Sequence, residues 1–167
     1  CSSEKEGGGA IYIHINKILE SSVSIFQSTF TKCTAVYGGA IYIYSDKEDN
    51  QVEVNNCNFI QNKAKKKGEV ESDSLHGGAA IYVTVKSGEI NNCIFQKNSG
   101  NLIKVSDNFA NSRRSIKEMR SMISIDKCSF DSKPNSKLFI DYDGSNGDSV
   151  LVDVKNSFFK GKLLSDE

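Results

Sequence analysis

Four polar residues stand at one repeated place in the sequence and have the residue types that acid–base catalysis uses. They are Glu53, Glu89, Ser124 and Asp153. Enzymes that cleave polysaccharides need clustered carboxylates, together with a metal or a basic residue, on one exposed face. Glu53 and Glu89 could stack as such a pair. Because no Arg or base is aligned with them, and His14 and His76 lie on different elements, we interpret the four as solvent-facing strand residues and predict no enzymatic activity.

Residues 141–148 resemble an oxygen-rich calcium loop. The candidate ligands are Asp141, Asp143, Asn146 and Asp148. Calcium binds carboxylate and amide oxygens, but the glycine of this segment comes one position late for an EF-hand and the closing Glu is missing. An ordinary turn between Ile140 and Val150 is the preferred interpretation, and calcium is the one cofactor that the sequence leaves open.

Three tyrosines, Tyr12, Tyr42 and Tyr82, share another repeated place and form the candidate binding surface. Lys104 and Phe139 continue this column on the same predicted outward face. A stripe of aromatic rings can bind sugar rings, receive a loop or pack against another protomer. The simpler alternative is a ladder that only stabilises the strand face. Binding of glycans therefore stays an open alternative.

Three of the five cysteines fall in one column, and serine occupies the equivalent position at each end of it. It reads Ser28, Cys57, Cys93, Cys128 and Ser157. A buried cysteine behaves as a small apolar residue, so we favour a packing role. A disulfide is an alternative, although three cysteines cannot pair completely, and a metal site is a weaker one because the close spacing of zinc ligands is missing. Cys1 and Cys33 have no assignment.

These residues are positioned by two short phrases that alternate along the chain. The first, Gly-Gly-Ala-Ile-Tyr-Ile, occupies residues 8–13 and 38–43, and recurs with substitutions at 78–83, 102–105 and 137–140. The second, apolar-x-apolar-Asn-Asn-Cys-x-Phe, has copies at residues 23–30, 52–59, 88–95, 123–130 and 152–159. Self-similarity at such a period is the signature of a solenoid, in which each repeat buries its apolar face against its neighbours.

Within each phrase the apolar residues fall at every second position, which is the period of a β-strand. The shortest step between equivalent residues, from Ile81 to Ile103, is 22 positions and estimates the bare coil. We predict one all-β domain over residues 1–167, a parallel β-helix of about five coils. Longer corner loops are expected at residues 62–76 and 106–121, because closure entropy grows slowly with loop length.

Stacking of equivalent residues predicts inward apolar columns and one turn column. The inward columns are Ile11/Ile41/Ile81/Ile103/Leu138, Ile13/Ile43/Val83/Val105/Ile140, Ile25/Val54/Ile90/Ile125/Val154 and Phe30/Phe59/Phe95/Phe130/Phe159. The turn column is Asn56, Asn92 and Asn156. Asn tolerates the left-handed backbone that a sharp turn demands, and stacked amides can hydrogen-bond from coil to coil.

At this asparagine column the chain resembles the right-handed parallel β-helix of pectin-lyase-like proteins, which use an asparagine ladder at such a corner. It is also similar to polymorphic outer membrane proteins and adhesins of bacteria, whose repeats pair Gly-Gly-Ala-Ile with Phe-x-x-Asn. The matching segments are Gly38-Gly39-Ala40-Ile41, Phe59-Ile60-Gln61-Asn62 and Phe95-Gln96-Lys97-Asn98. The resemblance implies a right-handed parallel β-helix and a secreted or surface-displayed protein.

Charge and hydropathy narrow the functional classes further. Lys plus Arg equals Asp plus Glu at 21 each, so no net field would recruit nucleic acid or an anionic membrane. No apolar run is long enough to span a bilayer. We expect a non-enzymatic structural or adhesive module at a cell surface or in an extracellular assembly, a segment of a longer chain or a subunit that self-associates or stacks end to end. The alternative is a carbohydrate-binding or polysaccharide-cleaving protein.

Overall fold

The computed structural model describes residues 1–3, 7–16, 21–45, 50–65, 77–106, 121–132, 140–143 and 150–160, with the backbone alone at 121, 132, 141–143 and 150. Within these ranges all regular structure is β, in seventeen strands. They are β1 (Ile11–Ile15), β2 (Ser21–Phe26), β3 (Thr29–Thr31), β4 (Thr34–Ala35), β5 (Ile41–Ser45), β6 (Asn50–Asn55), β7 (Asn58–Ile60), β8 (Lys63–Ala64), β9 (Ile81–Thr84), β10 (Ser87–Asn91), β11 (Ile94–Asn98), β12 (Ile103–Ser106), β13 (Ser121–Asp126), β14 (Ser129–Ser132), β15 (Ile140–Asp143), β16 (Val150–Lys155) and β17 (Phe158–Lys160).

The strands form three five-stranded parallel sheets and one two-stranded sheet. Sheet A has the order β1-β5-β9-β12-β15, sheet B β2-β6-β10-β13-β16 and sheet C β3-β7-β11-β14-β17, while β4 pairs with β8. Consecutive strands of the chain join different sheets, and each pairs with the equivalent strand of the next repeat. We call one such set, for example β1, β2 and β3, a layer. The prediction of an all-β chain with parallel pairing is confirmed.

The register confirms most of the predicted columns and corrects the fifth layer of sheet A. Ile25, Val54, Ile90, Ile125 and Val154 are paired in sequence across sheet B. In sheet A, however, Ile103 pairs with Ile140, and Val105 pairs with Tyr142. The predicted partner of Ile103, Leu138, lies outside the described residues. The prediction was wrong by two positions because the last phrase lacks the Gly-Gly pair that marks the start of the strand, and a shift of two keeps the same face inward.

The core lies between the three sheets and contains a continuous stack of phenylalanine rings. Ring centroids along Phe30, Phe59, Phe95, Phe130 and Phe159 are 5.1, 4.9, 4.8 and 4.7 Å apart, with interplanar angles of 7–11°. The three central rings are fully buried. Parallel in-register pairing sets this spacing, because neighbouring strands are about 4.8 Å apart.

Each of the five layers has a left-handed residue before its sheet C strand, and the first three layers have a second one at the end of that strand. Before sheet C, Gln27, Asn56, Asn92, Lys127 and Asn156 have φ between 46° and 53°. After the sheet C strand or within its last residues, Lys32, Gln61 and Lys97 have φ between 53° and 56°. The expected left-handed asparagines are thus confirmed. Glutamine and lysine at equivalent places show that the turn, rather than the amide, is what the layers share.

The asparagine ladder lies at a different corner from the predicted one. Asn56 and Asn92 are exposed, whereas Asn62 and Asn98 are fully buried. The side-chain oxygen of Asn62 accepts the backbone N–H of Cys33 at 2.8 Å, and its Nδ2 donates to the carbonyl of Phe30 at 3.0 Å. Buried backbone groups need such partners, so the ladder belongs to the Asn of Phe-x-x-Asn. Residues 66–76 and 107–120 of the expected corner loops lie outside the described residues. None of the described segments is a helix capable of crossing a membrane.

Candidate functional site

The three predicted tyrosines lie side by side on the outward face of sheet A. Tyr12 pairs with Tyr42 and Tyr42 with Tyr82, and their ring centroids are 5.4 and 5.1 Å apart. Two further tyrosines join them: Tyr37 lies 6.0 Å from Tyr42 and 5.7 Å from Tyr82, and Tyr44 lies 6.4 Å from Tyr42. We call these five residues the tyrosine cluster. Sequence analysis missed Tyr37 and Tyr44, although the position of Tyr44 two residues after Tyr42 was a signal for the same face.

Glycines in the preceding layer make room for the outward side chains of sheet A. A Cβ at Gly7 would lie 2.3 Å from Cγ of Tyr42, and one at Gly77 would lie 2.4 Å from Cδ of Lys104. Lys104 pairs with Tyr82 and continues the column as predicted, but it is buried with 1% exposure. Its expected exposure was therefore wrong. The next residue in register is Asp141 rather than Phe139, which lies outside the described residues.

Stacking of the rings reduces the ring surface of the tyrosine cluster that a ligand could contact. Tyr42 has Tyr12 on one side and Tyr82 on the other, so much of each face of its ring is already in contact. Burial, followed by the neighbouring phenols of Tyr82 and Tyr12, raises the pKa of Tyr42. Tyr12 is 47% exposed. The cluster thus presents ring edges, hydroxyl groups and one accessible ring, Tyr12, and it contributes packing energy to the sheet.

The predicted carboxylates line a groove of about 490 Å³ on the outward face of sheet B. Glu53 pairs in register with Glu89, so the two residues lie one above the other in successive layers, as expected. Asn55 donates a hydrogen bond from Nδ2 to Glu53, and Asn91 donates in the same way to Glu89 at 3.3 Å. The same Glu-x-Asn arrangement therefore orients both side chains.

A basic residue that sequence analysis did not align with these carboxylates also lines the groove. Lys155 lies 2.5 Å from Asp153, and this pairing raises the pKa of Lys155. Ser124 and Asp153 follow Glu89 in the same column. His14 lies on sheet A, with its ring centroid 5.1 Å from that of Tyr44, and His76 is outside the described residues. The groove thus combines hydroxyls, amides and carboxylates with one lysine at its end.

The calcium-loop candidate falls mostly outside the part of the chain that the structure describes. Asn146 and Asp148 lie outside the described residues, and so do the side chains of Asp141 and Asp143, whose backbone belongs to β15. Within the described ranges no group of three or more His, Cys, Asp or Glu side chains converges on one point that could hold a metal ion. The calcium site stays a prediction.

The cysteine column is buried at the start of sheet C, and its thiols are not bridged. Cys57 and Cys93 are 0% exposed and Cys128 is 2% exposed. Each sulfur lies 3.2–3.3 Å from the carbonyl oxygen two residues earlier and 3.4–3.6 Å from a carbonyl of the preceding layer. At the two ends, Ser28 and Ser157 donate the same local hydrogen bond, at 2.8 and 2.7 Å. The column is a repeated side-chain-to-backbone turn, consistent with a packing role.

The thiols also interact with one another along the column. A hydrogen bond with Cys93 lowers the pKa of Cys57 to about 7 and also lowers the pKa of Cys128. The hydrogen bonds with Cys128 and Cys57, together with burial, raise the pKa of the central Cys93. The protonation of each thiol therefore depends on the state of its neighbours in the column.

Comparisons with known proteins give no match for this chain, whether with protein-family models, with curated proteins or with solved structures. Family and function are therefore inferred from the contacts of the chain itself.

Proposed function

We propose that the chain is a right-handed parallel β-helix of about five coils that serves as a structural or adhesive, non-enzymatic module of a cell-surface or extracellular assembly. The observation that carries this proposal is the in-register stacking of five equivalent layers, whose apolar columns run from one layer to the next. Val154 is 37% exposed and Phe159 is 39% exposed, although their column neighbours Ile125 and Phe130 are fully buried. An apolar column with exposed strand edges favours the addition of another layer, from the same chain or from a second copy.

Several features support the helical arrangement. Three sheets with the same parallel order share five layers, and repeated left-handed turns separate sheet B from sheet C in every layer. The Gly-Gly-Ala-Ile and Phe-x-x-Asn segments support the likeness to pectin-lyase-like proteins and adhesin repeats. A secreted or surface-displayed location follows from that likeness alone.

We propose a second copy of the chain as the partner of the last layer. If the first layer of one copy continued the last layer of another, Val154 would lie on Ile25 and Phe159 on Phe30, as equivalent residues do within the chain. Lys155 would lie beside Phe26, which is 48% exposed, and a cation beside an aromatic ring is favourable. No like charges would meet at these positions.

Size measurement of the natural full-length protein tests this proposal. Light scattering coupled to gel filtration should show mass increasing with concentration, and electron microscopy should show end-to-end contacts. Val154→Asp, in the last layer that the structure describes, should weaken the association. Leu151→Asp, in the same strand but on the outward face with 51% exposure, is the matched control and should leave it intact. A monomer at all concentrations, or equal effects of the two variants, would contradict end-to-end stacking.

Carbohydrate binding or cleavage is the alternative, and the groove on sheet B favours it. Its oriented carboxylates and serine hydroxyls present acceptors and donors at the spacing of the layers. Binding to immobilised polysaccharides, and release of reducing or unsaturated sugars, would test it. Loss of binding in Glu89→Gln with unchanged folding would support this alternative over the scaffold.

A further inference from the structure

The cysteine column has a geometry that suits one class of metal ion. Cys57, Cys93 and Cys128 are at equivalent places in successive layers of sheet C, because Ile94 pairs with Asn58 and with Ser129. Neighbouring strands of a parallel sheet are about 4.8 Å apart. The three sulfurs therefore follow one another in a row, one layer apart, inside a dry core.

A row of sulfurs suits metal ions with two ligands better than metal ions with four. Structural zinc needs four ligands that converge on one point, and three sulfurs in a row do not converge. A two-coordinate ion lies between two sulfurs instead. With metal–sulfur bonds of about 2.3 Å the sulfurs would be about 4.6 Å apart, close to the layer spacing. Thiolates select soft ions such as Cu⁺.

Each sulfur of the column has carbonyl oxygens that accept its S–H and a backbone N–H of the preceding layer that favours its ionised form. The backbone N–H of Ser28 acts to lower the pKa of Cys57, that of Cys93 acts to lower the pKa of Cys128, and that of Cys57 opposes the rise in the pKa of Cys93. Ser157 continues the pattern by accepting the N–H of Cys128 at 3.2 Å. Amide donors stabilise thiolates, which are the form that binds metals.

We propose that Cys57, Cys93 and Cys128 form a binding site for soft monovalent metal ions, in which each ion joins two neighbouring sulfurs. Binding of one ion releases two thiol protons to solvent and forms two metal–sulfur bonds, with no change of oxidation state. Cys93 takes part in both possible pairs. Cys57 and Cys128 each take part in one.

Silver binding to the full chain tests the proposal, with Ag⁺ as the probe and Zn²⁺ as the control ion. All proteins carry Cys1→Ser and Cys33→Ser, so that only the column remains, and are refolded with the ion before native mass spectrometry. Serine is the substitution of choice because Ser28 and Ser157 already occupy this column with the same local hydrogen bond. Circular dichroism of each variant verifies its fold.

The positions of the three cysteines predict a distinctive pattern of stoichiometry. Cys57→Ser and Cys128→Ser should each retain one bound Ag⁺, because one neighbouring pair remains, whereas Cys93→Ser should retain none. Zn²⁺ should not bind to any of them. The proposal is overturned if folded Cys93→Ser binds as much Ag⁺ as the other two variants. It is also overturned if the protein that keeps all three column cysteines binds no Ag⁺. Neither result depends on self-association of the chain.

Discussion

Asn98 accepts the backbone N–H of Asn62 through its side-chain oxygen at 2.8 Å, and both residues are completely buried. Its Nδ2 donates to the carbonyl of Phe59 at 2.9 Å. Asn62 makes the same two contacts one layer earlier, to Cys33 and Phe30. Each amide thus replaces, for the turn of the preceding layer, the two backbone hydrogen bonds that the sheet cannot supply there.

Asn62→Ala should destabilise the protein by about 3 kcal/mol, because it leaves one buried N–H and one buried carbonyl without their partner. Urea unfolding followed by circular dichroism measures the change. Asn58→Ala is the matched control: Asn58 has only a 3.5 Å contact with Thr29 at the surface, so its loss should cost about 0.5 kcal/mol or less. Equal costs would show that the ladder does not stabilise the turn.

The place of this ladder shows what the sequence could and could not reveal. The Phe-x-x-Asn segments that end at Asn62 and Asn98 are visible in the sequence. The Asn-Asn pair of the other phrase is equally visible, and it led to the prediction of an amide stack at the wrong corner. Both corners contain a left-handed residue, so propensity alone cannot tell them apart. Burial separates them, and burial depends on which side of the turn faces the core.

Phe95→Ala should cost about 3–5 kcal/mol, the range for removing a fully buried aromatic ring. Phe95 is 0% exposed and stacks on Phe59 and Phe130 at 4.9 and 4.8 Å. Phe159→Ala, at the exposed last layer, should cost less than half as much. The two free energies of unfolding, measured by urea titration at a concentration at which the protein is monomeric, give the comparison.

The predicted columns agree with the observed register where the two repeated phrases are intact, and they disagree where the phrases carry many substitutions. Alternation of apolar residues identified the inward face of the strands of sheets A, B and C whose side chains the structure describes, because the side-chain period of a strand is two. It could not fix the register of the last strand of sheet A, where Ile140 rather than Leu138 pairs with Ile103. Among the site residues, the tyrosine column followed from the repeat, whereas the burial of Lys104 depends on Gly77 in the preceding layer.

Alkaline pH should destabilise the protein in part through Tyr42. Its pKa in the folded state is raised above the ordinary value of about 10, so folding favours the neutral phenol. This contribution to stability is complete below about pH 10 and is lost as the pH rises through the folded-state pKa. Tyr42→Phe should therefore lose less stability than the wild type above pH 10, as measured by urea unfolding at each pH. Tyr12→Phe removes only one of the phenols that raise the pKa of Tyr42 and should have a smaller effect in the same direction.

Gly38→Ala should destabilise the fold far more than the same change at Gly88. Gly38 has φ of 55°, and a Cβ there would lie 2.0 Å from the carbonyl oxygen of Ile41. Left-handed backbone alone costs a non-glycine residue about 1–2 kcal/mol, and the contact with backbone adds to it.

At Gly88 the nearest atom is Cδ1 of Ile123 at 2.9 Å, the mobile end of a side chain, and alanine in a strand gains about 0.5–1 kcal/mol over glycine. Urea unfolding should show a loss of at least about 2 kcal/mol for Gly38→Ala and a change within about 1 kcal/mol for Gly88→Ala. Since Gly38 begins the Gly-Gly-Ala-Ile phrase, a neutral result there would remove the physical reason for the repeat that defines the chain.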